Sequence, residues 1–187
     1  SESKDAFALR YAFDSKRARF VVDYAAGITG ESSPPSSEGG TLRLWDLGGC
    51  KQASVAEWGP AGASASCEPG KGLRVAAEGN DPQLSSHYQV SLQAADARYV
   101  RIRVSASYPS AIRPEPYISQ WYWKGSGEDW SEQHSLTLPI KQDGQPHVYW
   151  TFIPVKDASK GIEQLRFDPI NSKVDATVQW IEVDVVN

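Results

Sequence analysis

The chain contains no methionine, only two cysteines and three histidines, and no long apolar run or basic block. Each absence removes a class of function. Without a run approaching ~20 apolar residues there is no membrane-spanning helix, and no charged-then-apolar stretch reads as a signal peptide. A formal charge of −4 with no basic cluster of size sets nucleic acid aside as a partner. His87, His134 and His147 share no metal-ligand spacing, no phosphate-cradling glycine loop precedes a helix, and no G-x-S-x-G elbow frames a serine nucleophile. Methionine is missing even at position 1, which leads to the expectation of a processed product or an excised piece of something larger.

What is present points to one β-rich unit. The 187 residues fit a single domain, 40% are apolar, and seven Trp, eight Tyr and five Phe make the chain rich in aromatics. Cys50 and Cys67 bracket a Gly/Ala/Ser-rich loop. An even, local pair of this kind reads as a stapling disulfide, worth about 3 kcal/mol in the chain-entropy model; two free thiols are the other reading. The disulfide reading places the chain outside the cytoplasm, in a periplasm or at a cell surface.

Apolar residues recur with period two, the signature of strands. Phe7, Leu9, Tyr11 and Phe13 alternate with smaller or charged residues, and after a turn Ala18, Phe20, Val22 and Tyr24 do so again, so a hairpin is expected, with a helix as its rival. Lys16, Arg17 and Arg19 would cluster at its tip, as a solvated turn or as a contact for an acidic partner. Residues 28–40 read as a loop. Strands are expected at Leu42–Trp45, in three runs between Leu73 and Val104, and over 117–124, 135–140, 147–154, 162–168 and 176–186. Gly, Pro, Asn or Asp in most gaps suits a sandwich or jelly roll. In the last strand, a bulge at Ile181–Glu182 is expected to bring Trp180 into the core with Val178, Val183 and Val185.

The order of short motifs carries a resemblance. L-R-V-A-A-E-G-N-D-P-Q-L (73–84), Y-V-R-I-R-V (99–104), S-Q-W-Y-W (119–123), D-W-S-E (129–132), D-G-Q-P-H-V-Y (143–149), I-E-Q-L-R-F-D-P (162–169) and V-Q-W-I-E-V-D-V (178–185) follow one another. This succession resembles the galactose-binding-like jelly-roll modules found beside carbohydrate-active enzymes and on bacterial surface-polysaccharide glycosyltransferases. The resemblance covers roughly residues 70–187. It implies an all-β, jelly-roll β-sandwich over 1–187, with 1–70 forming a hairpin plus a loop-rich elaboration. One fold hosts many functions, so the sandwich is implied more firmly than sugar binding.

Sugar rings stack on flat aromatic side chains while amides, carboxylates and guanidinium groups take their hydroxyls. In the strand 117–124, Tyr117, Ser119, Trp121 and Trp123 share one face, and Ile118, Gln120 and Tyr122 the other. Trp130 lies in a polar loop with Asp129, Glu132 and His134. The expected platform is Trp121, Trp123 and Trp130, with Asp129, Gln120 and Arg113 as polar partners; the competing reading is that the rings fill the core. Trp150 and Trp180 are expected in the core. Asp81 and Asp168, each before a proline, suit turns, with a structural calcium on Asp81, Asp168 and Glu78 as the alternative and an Arg166–Asp81 pair as another. Paired carboxylates, or a triad built from Ser131, His134 and Asp129, make the weakest case.

These residues lead to a non-catalytic carbohydrate-binding module for a cell-surface or exopolysaccharide glycan, accessory to a glycosyltransferase or other carbohydrate-active enzyme. Its partners are then a polysaccharide or oligosaccharide and a catalytic domain of the same parent chain. A protein-docking or scaffold domain of a larger membrane or exported enzyme is the alternative, and a small glycan-active hydrolase or lyase is a third reading.

Overall fold

The computed structural model describes residues 41–87, 97–107, 118–138, 140–153 and 162–186. The expected hairpin at 7–24, the loop 28–40, the strand from Tyr88 to Leu92 and Arg113 lie outside them. The described residues form two antiparallel sheets packed face to face, a β-sandwich. The first contains β1 (Thr41–Asp46), β3 (Ala63–Glu68), β4 (Gly72–Ala77), β6 (Ala97–Ala106), β9 (His147–Ile153) and β11 (Asp175–Val186). Its order is β3-β4-β11-β6-β9, and β1 pairs with β11 as well. The second runs β2-β5-β10-β7-β8, made of β2 (Trp58–Ala61), β5 (Gln83–Ser86), β10 (Gln164–Asp168), β7 (Ser119–Lys124) and β8 (Ser135–Leu138). One short helix, α1 (Gln52–Val55), follows β1.

Strand β11 organises the first sheet. At twelve residues it is long enough for β4 to pair with Asp175–Val178 and β1 with Trp180–Asp184. Strand β6 pairs along almost the whole of β11. Gly72, at φ +126°, makes the β4 contact feasible: a Cβ there would stand 2.3 Å from the Val178 carbonyl oxygen.

Period-two alternation delivers the core. Leu73, Val75, Val100, Ile102, Val104, Val178, Ile181 and Val183 of the first sheet face Leu84, Trp121, Trp123, Leu165 and Phe167 of the second. Every one of them is 2% exposed or less. The bulge in β11 falls at Gln179, two residues before the Ile181–Glu182 position that the sequence suggested: Val178 pairs with Val104 and Trp180 already with Arg103. The extra residue keeps Val178, Ile181 and Val183 on one inward face, so Trp180 turns outward and is only partly buried. The carbonyl of Gln179 is left free of the ladder and accepts the amides of Leu47 and Gly48 at 3.0 and 2.7 Å. Trp150 is buried at 1% exposure, opposite Arg101 on β6, while its neighbours Tyr149 and Thr151 point the other way.

The segment between the cysteines is more ordered than a floppy loop. It holds α1, β2 and most of β3, and β3 pairs with β4 from Ala63–Ala77 to Glu68–Gly72. Strand β3 is largely exposed, so its apolar content gave little warning of a strand. A disulfide joins Cys50 to Cys67 with the Cα atoms 5.7 Å apart. It ties the turn after β1 to the edge strand β3.

Two motifs behind the family resemblance serve the fold. In D-G-Q-P-H-V-Y, Asp143 accepts the Gln145 amide at 2.9 Å and meets His147 Nε2 at 2.9 Å, while Gly144 takes φ +75°. The hydroxyl of Tyr149 accepts the amide of Lys141 at 2.7 Å and closes the same turn. At the end of L-R-F-D-P, the Ser119 hydroxyl donates to the Pro169 carbonyl, and Asn171 Oδ1 accepts the Ile118 amide at 2.8 Å.

Candidate functional site

Strand parity divides the aromatic strand β7 sharply. Trp121 and Trp123 are 1% and 2% exposed. Trp121 packs edge-on to Trp58 at 6.4 Å and against Phe167 at 5.2 Å, and Trp123 stacks on His134 at 6.0 Å. Both rings are core, which corrects their assignment to an exposed platform: the inward face of a sandwich strand rewards the largest apolar area, and indoles supply it.

The opposite face of β7 therefore looks outward with Gln120, Tyr122 and Lys124. Register sets them against β10: Gln120 opposite Asp168, Tyr122 opposite Arg166, Lys124 opposite Gln164. Arg166 in turn lies opposite Ser85 of β5. The guanidinium covers the Tyr122 ring at 4.6 Å, a cation–π contact. Its Nε donates to Asp168 Oδ1 at 2.7 Å and its Nη2 to Asp168 Oδ2, a bidentate fork, with Asp81 Oδ1 at 3.8 Å on the same nitrogen. The expected Arg166–Asp81 tie between strand ends is present, and Asp168 is the stronger partner.

The loop after β7 closes over this floor. A single 3₁₀ turn, Glu132–His134, begins at Ser131, whose hydroxyl accepts the Gln133 amide at 3.2 Å. Glu132 reaches back to the sheet. Its Oε1 accepts the Tyr122 hydroxyl at 2.5 Å, and its Oε2 accepts Gln120 Nε2 at 3.0 Å and the Ser135 hydroxyl at 3.3 Å. Trp130 is half-buried, with Lys124 Nζ 4.9 Å and Arg166 Cζ 6.0 Å from its ring centroid. Asp129 beside it is exposed.

The electrostatics follow from these contacts. The Tyr122 hydroxyl is held far above the usual phenol range, first by burial and then by its bond to Glu132. The Glu132 carboxyl is pulled below its ordinary value, chiefly by the Tyr122 hydroxyl and further by Gln120, Ser135 and Arg166. Burial raises the Asp168 carboxyl although Arg166 opposes it. The Arg166 guanidinium is desolvated too, but Asp168 and then Asp81 keep it above its usual value.

The proposed calcium ligands do not suit that ion. Both oxygens of Asp168 engage Arg166, Asp81 faces the same guanidinium and accepts Gln83 Nε2 at 2.8 Å, and Glu78 is exposed. A fixed cation already stands where a metal would have to sit. Among the described residues no group of three or more His, Cys, Asp or Glu converges as a metal site. Nor do Ser131, His134 and Asp129 assemble as a triad: Ser131 caps the 3₁₀ turn, and His134 lies against Trp123 and 3.6 Å from Glu128.

Of the expected site residues, the structure gathers Gln120 and Trp130 on one surface, with Asp129 next to Trp130 in the chain. It adds Tyr122, Lys124, Glu132 and Arg166. Parity puts Tyr122 and Lys124 beside Gln120 on one face of the strand, away from Trp121 and Trp123, but which face is buried comes from the packing of the two sheets. Arg166 and Asp168, two apart in β10, likewise share an outward face.

No family model matches the chain, and no curated protein matches it. Solved structures do. A carbohydrate esterase from the Shiga toxin-encoding bacteriophage phi24B superposes with a TM-score of 0.53 at 13% identity, covering 80% of this chain and 100% of that one. The first CBM22 xylan-binding domain of Paenibacillus barcinonensis Xyn10C gives 0.51 at 9% identity, covering 81% of this chain and 98% of its own. The tandem CBM22 pair of the same protein gives 0.53 at 12% identity, covering 83% of this chain and 52% of the pair. At such identities the common property is architecture: this chain has the jelly-roll β-sandwich fold that carbohydrate-binding modules also adopt.

Proposed function

We propose that the chain is a non-catalytic carbohydrate-binding module whose site is the outer face of the second sheet. The observation that carries this reading is a half-buried Trp130 beside Lys124 and Arg166, the latter part of a pre-ordered polar floor with Gln120, Tyr122, Glu132 and Asp168. An indole with an accessible edge or face offers a stacking surface, and the Gln120 amide and the exposed Glu132 carboxylate offer hydroxyl partners, with Arg166 and Asp168 fixing the floor beneath them. Because each floor residue is already clamped by a neighbour, little side-chain freedom is lost on binding. The fold shared with xylan-binding modules supports the same reading and makes xylan the first polymer to try.

The finer parts of the proposal are a cell-surface or exopolysaccharide ligand, an extracytoplasmic setting in keeping with the disulfide, and service to a glycosyltransferase or other carbohydrate-active enzyme. Isothermal titration with xylan and a panel of bacterial polysaccharides tests it. The expected result is weak, measurable binding that Trp130→Ala abolishes without lowering the unfolding midpoint. No heat with any polymer on the panel counts against the site.

A further inference from the structure

His87 has no metal-ligand spacing in the sequence and no part in the floor just described, yet its placement is specific. It follows directly on β5, in phase with the outward Gln83 and Ser85 of that strand, and its amide donates to the Glu57 carbonyl at 2.7 Å, which holds it beside β2. Its side chain is exposed. The imidazole leans over Gly59: its Cε1 and Nε2 stand 2.2 and 2.3 Å from where a Cβ of residue 59 would be. Glycine at that position gives the ring its seat. Gly59 pairs with Ser85, Ser85 with Arg166 and Arg166 with Tyr122, so the seat belongs to the same outer face as Trp130.

We infer that His87, seated on Gly59, is a second ligand contact, and that the site takes an internal stretch of a neutral linear polysaccharide laid across the strands from Trp130 to His87. This rests on the carbohydrate-binding reading above. Strands β2, β5, β10 and β7 are neighbours, and three spacings of about 4.8 Å put roughly 14 Å between the outer two. That is room for a short run of sugar rings rather than one. Gln164, opposite Lys124, and Ser85, opposite Arg166, lie between the ends and present an amide and a hydroxyl group. Charge selects a neutral chain: Lys124 and Arg166 are outnumbered by Asp81, Asp129, Glu132 and Asp168, so a uronate-bearing or sulfated polymer meets net repulsion.

Titration with neutral β-1,4-linked xylo- and gluco-oligosaccharides of increasing length, and with a polyuronate, tests the inference in three variants. Trp130→Ala is expected to abolish binding at every length. His87→Ala is expected to leave the disaccharide unchanged and to weaken the longer oligomers roughly fivefold, the worth of one ring contact. Gly59→Ala displaces the imidazole, the movable end of a side chain, and should reproduce that length-dependent loss with little change in stability. If Trp130→Ala abolishes binding but both other variants bind the whole series like the native protein, the His87 contact is wrong while the site stands. Preference for the polyuronate overturns the neutral-chain assignment. Failure of the native protein to bind any oligomer removes the site reading and this inference together.

Discussion

Arg166 stacks its guanidinium 4.6 Å from the centroid of the Tyr122 ring, its direct cross-strand partner, while its Nε and Nη2 grip Asp168. One side chain thus seals the phenol, neutralises a desolvated carboxylate and forms part of the surface beside Trp130. The Arg166 and Asp168 side chains are only 12% and 10% exposed. Removing one partner of such a pair leaves the other charge buried and alone. Arg166→Ala is therefore expected to cost about 3–5 kcal/mol, read as a fall in the urea midpoint. Arg166→Lys restores charge without the planar fork and should recover only part of the loss. A change no larger than that of an ordinary surface substitution contradicts the assignment.

Glu132 supplies a pH signature. Its carboxyl titrates below the ordinary value of 4.5 because the Tyr122 hydroxyl, then Gln120 and Ser135, donate to its ionised form. A carboxylate depressed by folding stabilises the fold while ionised. That contribution is full above 4.5 and disappears as the pH falls through the lower value of the folded state. Asp168 acts in the opposite sense, since burial raises it and its stabilisation is lost as pH rises. Glu132→Gln should lower the melting temperature near neutrality and flatten the acid limb of the stability profile. Parallel acid limbs for variant and native protein would show that the bond to Tyr122 contributes nothing.

The three tryptophans around β7 should separate into two kinds. Trp121→Ala empties space between Trp58 and Phe167 and is expected to cost about 3–5 kcal/mol, with Trp123→Ala close behind. Trp130→Ala, at a half-buried loop position, should leave the unfolding transition nearly in place. Denaturant unfolding of the three variants gives the comparison; equal losses at all three positions would make Trp130 a core residue.

Replacing both Cys50 and Cys67 by serine should lower stability by about 3 kcal/mol through the released loop, with the far-UV circular dichroism of the folded protein retained. The core lies between the sheets and Cys67 only packs against its margin, so most of its cohesion survives the loss. An unaltered unfolding midpoint in the double variant would mean that β3 is held by its ladder to β4 alone.

The sequence by itself determined the fold class, the staple between the two cysteines and most inward positions. All three depend on local patterning: alternation with period two assigns a face, and an even cysteine pair around a short loop restricts pairing. Val100, Ile102 and Val104 were legible as core for that reason, and they are fully or almost fully buried. In the aromatic strand β7, tertiary structure alone decided which face met the opposing sheet and which met water. Alternation separates Trp121 and Trp123 from Gln120 and Tyr122 but does not state which set turns inward; only the packing of the first sheet against this strand, by burying the larger apolar area, settles that. A bulge in the last strand was legible but its position was not, because the unpaired residue, Gln179, is fixed by the register of β11 against β6 and by the amides of Leu47 and Gly48 that donate to its carbonyl. The polar floor joins side chains from β7, β10 and the loop after β7 with Asp81, which lies before β5, segments as much as 87 residues apart. Contacts between such distant segments arise from strand order in the sheet, which no local pattern of residues encodes.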